Sequence, residues 1–125
     1  MSCTCEIDGD FYGNAPTVFT EANRKARKQH VCCECFRKIE SGETYRDESG
    51  MWGGEFRTYK TCADCLSVRD VYFCSWTYGE IWEDVHGLIV DSDGQSFLDA
   101  RLGKVTPAAR AKICEQVEQW WEENE

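Results

Sequence analysis

Two Cys-x-x-Cys pairs constrain this chain more than any other feature. Cys32 and Cys35 lie in His-Val-Cys-Cys-Glu-Cys, and Cys62 and Cys65 in Thr-Cys-Ala-Asp-Cys, with 26 residues between the pairs. Thiolates two residues apart in a tight turn can face one metal, and two such turns complete a closed tetrahedral shell. Structural zinc prefers that shell. A chain of 125 residues buries limited apolar surface, so a metal staple adds stability the core alone supplies sparingly. The spacing predicts one zinc on Cys32, Cys35, Cys62 and Cys65.

Length fits a single domain over 1–125, read as an N-terminal arm with a basic run (1–30), a zinc core (31–74) and a helical part (75–125). Nine cysteines, an odd count, fit a disulfide framework poorly. The opening Met-Ser-Cys-Thr-Cys-Glu has no basic region followed by an apolar run, and no segment is apolar enough to cross a membrane. The expectation is a cytoplasmic protein whose cysteines are thiolate ligands or reduced thiols. A net charge of −9 repels nucleic-acid phosphate unless a local basic patch wins.

Glycine, asparagine and proline punctuate residues 1–20. Residues 31–61 read as a zinc knuckle and a hairpin. Gly42–Arg46 leads into one strand, Glu48-Ser49-Gly50 and Gly53-Gly54 are turn material, and Glu55–Lys60 is the return strand. The second cysteine pair opens a short helix from Leu66 to about Phe73. Free amides and the positive dipole at a helix start suit thiolates there. Ile81, Trp82, Val85 and Ile89 have helical spacing. A last helix is capped by Thr106 with Pro107 in its first turn, and Ile113, Val117 and Trp120 form its apolar stripe. The predicted fold is α+β: a treble-clef-like knuckle, hairpin and helix with additional C-terminal helices. A long-hairpin zinc ribbon is the alternative.

Five cysteines remain. Cys3 and Cys5 are one residue apart, and Cys74 follows the short helix, so these three are candidates for a second zinc. Cys33 is the candidate fourth ligand, with His30 or His86 as substitutes, while Cys114 reads as core. Catalysis finds no support. The best site is all thiolate and closed, whereas catalytic zinc keeps an open position. Neither histidine begins the His-x-Glu of zinc deaminases, and residues 36–61 hold no histidine for a nuclease hairpin. Asp91-Ser92-Asp93-Gly94 lacks the downstream glutamate of a calcium loop and reads as a turn. The expectation is a protein that is not an enzyme.

Two surfaces compete as binding sites. Arg24, Lys25, Arg27 and Lys28 place four positive charges in a seven-residue run, which suits phosphate or simply a solvated segment. Residues 71–100 carry six acidic groups, no Lys or Arg, and six of the chain's aromatics. Trp76 with Glu80, Glu83 and Asp84 suits a protein partner, although aromatics in such a stretch also build cores.

The runs from Ala26 to Cys35, Ile39 to Tyr45, and Gly50 to Cys62, with Cys65, Arg69 and Asp70, carry a resemblance. They are similar to small cysteine-rich zinc proteins encoded by bacteriophages and prophages. Cys3-Thr4-Cys5 and Tyr78 to Asp84 extend the likeness over about residues 3–86. It implies metal binding and a phage origin, and no activity. The combined expectation is a zinc-stabilised protein that binds and modulates or inhibits a host protein complex, either a defence system such as a CRISPR effector or the transcription machinery. A nucleic-acid-binding zinc-finger regulator is the alternative.

Overall fold

A computed structural model describes residues 19–124. They fall into two compact units whose division, between Ala63 and Asp64, lies inside the first helix. No described helix is long and apolar enough to cross a membrane.

The first unit is built from strands. β1 (Phe19–Lys25), β4 (Thr44–Trp52) and β5 (Glu55–Cys62) form an antiparallel sheet with β4 in the centre. Short β2 (His30–Val31) and β3 (Lys38–Ile39) pair separately and flank the first cysteine pair. Gly53 and Gly54 join β4 to β5 with φ of 59° and 84°. Two consecutive left-handed residues match the twist of a two-residue hairpin, and glycine adopts them without strain. Pleating sets the contents of each face. Trp52 and Tyr59 lie edge to face at 5.6 Å, and Phe19 joins Trp52 at 6.1 Å. Glu48, Ser49 and Gly50, expected as turn material, instead continue β4, because each pairs with β5, opposite Tyr59, Thr58 and Arg57. Asp47, on the other face, receives Arg24 from β1 at 3.0 Å and Lys60 from β5 at 4.0 Å.

The basic run is not one segment. Arg24 and Lys25 end β1, whereas Arg27 and Lys28 sit in the bend after it. Between them Ala26 is buried, its N–H donating to Glu43 O at 2.8 Å and its carbonyl accepting from Gly42 N at 2.8 Å. The sequence of β1 shows almost no apolar alternation, so pairing with β4 rather than propensity makes it a strand.

The second unit is helical. Helix α1 spans Ala63–Tyr72 and begins three residues before the expected Leu66. α2 spans Ile81–Ser92 and buries Ile81, Val85 and Ile89 on one face. α3 spans Pro107–Glu123 and buries Ala109, Ile113 and Val117. Val68, Tyr72, Phe97 and Val105 complete this core. Phe97 is fully buried in a short 3-10 turn, its ring 4.8 Å from Tyr72. The acidic aromatic stretch therefore supplies much of a core, while five of its six carboxylates stay exposed.

Thr106 caps α3, as the sequence indicates. Its hydroxyl oxygen accepts from Ala109 N at 3.3 Å, and its hydroxyl hydrogen goes to Asp64 in the first turn of α1. Thr106→Ala removes both bonds. Lost caps cost about 1 kcal/mol, and the extra bond to a carboxylate brings the expected loss to about 2 kcal/mol. Urea unfolding measures it, and a loss of only about 1 kcal/mol would show that the Asp64 bond contributes nothing beyond the cap.

Candidate metal centre

The knuckle forms between β2 and β3. Cys32 N donates to Arg37 O at 2.9 Å, and Phe36 N donates to Cys32 O at 3.0 Å. Phe36 closes the turn at φ 62°, a region that favours glycine. Arg37 then forks onto Glu43, its two nitrogens 3.1 and 2.9 Å from the carboxylate oxygens. Glu43 also accepts Glu40 N at 2.7 Å. The Arg37 guanidinium and then that amide hold the Glu43 carboxyl below the usual range. This fork fastens the knuckle to the approach to β4. On its other side, Cys33 N donates to Lys60 O at 2.9 Å and ties the knuckle to β5, the strand that delivers Cys62.

Those constraints gather the sulfurs. Cys32, Cys35, Cys62 and Cys65 place their Sγ atoms within 4.8 Å of one another, the only such metal-capable group among the described residues. Cys35 Sγ and Cys62 Sγ are 3.9 Å apart. Four sulfurs bound to one zinc at about 2.3 Å stand about 3.8 Å apart, so the cluster needs only a small contraction around an ion. Cys62 ends β5, and Cys65 follows three residues on in the first turn of α1.

Hydrogen bonds to sulfur support the thiolate state. Cys32 Sγ accepts from Glu34 N and from Cys62 N, each at 3.4 Å. Cys65 Sγ accepts from the Trp82 indole N–H at 3.2 Å. The same Trp82 ring lies under the Lys112 ammonium, 4.3 Å from its centroid. Nothing in the sequence marks Trp82 as a sulfur donor, since its spacing within α2 is that of a core residue.

The other candidates sit elsewhere. Cys33 turns its sulfur toward Thr61 Oγ1, 3.5 Å away, and is not in the four-sulfur group. His30 packs its ring on Tyr45 at 5.2 Å, and His86 stands edge-on to Trp120 at 6.5 Å. Neither histidine is in the cluster. Cys74 is disulfide-bonded, where the sequence led us to expect a thiol or a ligand, and a disulfide sulfur is not the thiolate a second zinc would need. Cys3 and Cys5 lie outside the described residues. Cys114 is half-buried on α3.

Trp76 is 37% exposed, with the buried Arg69 guanidinium 4.3 Å from its ring centroid. Glu80 occupies the N-cap position of α2 with no side-chain bond to the helix, and Glu83 is exposed in the first turn. Asp84 is half-buried, and burial followed by the Glu83 charge pushes its carboxyl up.

No family model, curated protein or solved structure matches this chain. Fold and site together define a small mixed α+β protein with a four-cysteine cluster that can hold a metal ion.

Proposed function

We propose that this chain is a zinc-stabilised binding protein with a treble-clef-like core, and that it acts by occupying a basic surface on a partner protein. Four thiolates leave zinc no open position, which suits a structural ion rather than a catalytic one. By the resemblance to phage-encoded zinc proteins, the partner we propose is a bacterial host complex met in the host cytoplasm.

The observation that carries this reading is where the charges go. Residues 19–63 hold nine basic and seven acidic side chains, and most of the cations face their own carboxylates. Arg24 and Lys60 meet Asp47, Arg37 meets Glu43, Arg46 meets Glu21, and Arg57 meets Glu55. Residues 64–124 hold five basic against twelve acidic side chains, a net −7. Such a field steers a basic protein surface and repels phosphate. A nucleic-acid role has one observation in its favour. Lys25, Arg27, Lys28 and Lys38 are exposed, and no carboxylate pairs with them among the described residues.

Glu80→Lys with Glu83→Lys separates the two. Association with a partner captured from host lysate is expected to slow by roughly tenfold at low salt, with less difference at high salt. Melting falls slightly, by about 1 kcal/mol, because both carboxylates sit at the positive end of α2. Arg27→Ala with Lys28→Ala is expected to leave association unchanged. The nucleic-acid reading prevails if only the second pair abolishes binding and the wild-type chain shifts random DNA in a salt-dependent way.

A further inference from the structure

We infer that Cys35 is the reactive thiolate of the four-cysteine cluster, the position at which a hydroperoxide oxidises it to a Cys35–Cys62 disulfide. This rests on the zinc reading above and adds the site and class of its chemistry. Three of the four sulfurs belong to residues that are shut in. Cys32 and Cys62 are 0% exposed and Cys65 is 1% exposed, whereas Cys35 is only half-buried. Phe36, the next residue, leaves the turn at φ 62° and is itself 71% exposed.

Charge separates the sulfurs as well. Two amides draw on the Cys32 sulfur and the indole draws on Cys65. A donated hydrogen bond stabilises a thiolate and lowers its tendency to attack. Cys35 Sγ has no N–H donor among the described residues, and the one polar contact of its side chain is Cys62 Sγ at 3.9 Å. Cys35 is thus the most accessible cysteine of the four and, unlike Cys32 and Cys65, receives no N–H bond at its sulfur among the described residues, and it stands beside Cys62.

The chemistry balances without another reductant. Cys35 thiolate attacks the outer oxygen of the hydroperoxide, the O–O bond breaks, and the departing alkoxide or hydroxide takes a proton from water. Cys35 becomes a sulfenic acid. Cys62 thiolate then attacks that sulfur, the S–O bond breaks and hydroxide leaves. The two thiolates have supplied the two electrons that reduce the peroxide. Cys32 and Cys65 remain as thiolates, too few to retain a closed shell.

The test uses the full metal-loaded chain. Hydrogen peroxide is added in limiting amounts, metal release is followed with a chromophoric chelator, and the cysteines are mapped by tandem mass spectrometry. Parallel single-hit labelling with N-ethylmaleimide ranks the thiolates, with Cys33 and Cys114 as internal references. Cys35 is expected to label at least about tenfold ahead of the other three cluster cysteines. The first disulfide is expected to join Cys35 to Cys62, in step with metal release. Trp82→Phe is expected to accelerate labelling of Cys65 and not of Cys35. A metal-loaded chain in which Cys32 or Cys65 reacts first, or in which another pair forms the first disulfide, overturns this inference alone. A chain purified without metal overturns the zinc reading and this inference with it.

Discussion

Replacing Cys62 with serine is expected to strip the metal and unfold the strand unit. Cys62 is fully buried, and its sulfur lies 3.9 Å from Cys35 Sγ. Its amide also donates to Cys32 Sγ, so the residue touches the cluster through backbone and side chain alike. Serine is a poor zinc ligand at neutral pH because its hydroxyl stays protonated. Three thiolates remain, and the metal's binding energy, which is folding energy when the site does not pre-exist, falls with the fourth. We expect a loss of about 4 kcal/mol or more, the range that marks removal of a metal or a comparable staple. Elemental analysis should fall from about one zinc per wild-type chain to far below that in the variant, and thermal unfolding should lose its cooperative transition. Cys114→Ser, outside the cluster, serves as the control and should leave the metal in place. If Cys62→Ser melts like the wild type, or the wild type carries no metal, the zinc reading fails.

The second large effect is expected far from the cysteines, at Gly94. This residue follows the end of α2, where Asp93 takes φ 54° and Gly94 takes φ 81°. Gly94 N donates to Ile89 O at 2.9 Å and finishes the helix. Two indoles from α3 hold the turn. Trp120 Nε1 donates to Asp93 Oδ1 and Trp121 Nε1 to Asp93 O, both at 2.8 Å. A Cβ on Gly94 would stand 2.8 Å from Val117 Cγ1 and 3.4 Å from Trp121 Nε1. Val117 is a core residue of α3 with little room to retreat. Gly94→Ala thus combines a left-handed backbone, about 1–2 kcal/mol, with overpacking, about 1–3 kcal/mol. We expect a total near 3 kcal/mol, read by urea unfolding with metal content unchanged. Val117→Ala in the same chain should recover part of that loss, and the double-mutant cycle should show favourable coupling. Simple additivity of the two substitutions would place the strain in the backbone alone.

Asp91-Ser92-Asp93-Gly94 reads as a turn in the sequence, and the structure keeps that at Asp93 and Gly94, while Asp91 and Ser92 still belong to α2. The indoles of Trp120 and Trp121 that clamp it are 27 and 28 residues from Asp93, and no local pattern connects them. Cys74 shows the limit from the other side. Its place after the short helix read as a ligand or a reduced thiol, and its sequence neighbours carry no sign of the bridge it forms. The basic run shows a third kind of limit. Charge density is visible in one dimension, but whether Arg24 faces solvent phosphate or Asp47 depends on strand register.

What the sequence determined by itself is the chemistry that acts over a few residues. The two Cys-x-x-Cys pairs, the Gly53-Gly54 turn, the Thr106-Pro107 helix start and the spacing of Ile81, Val85 and Ile89 each state their role locally, because turn geometry, capping and periodicity reach only one or two turns of chain. Tertiary structure alone decided which distant groups meet. It made Phe19–Lys25 a strand by giving it β4 to pair with, and it set the Trp82 indole against the Cys65 sulfur. It also left Cys35 the most accessible sulfur of its cluster. Burial, partnership and reactivity are properties of neighbours, and neighbours are set by the fold rather than by position along the chain.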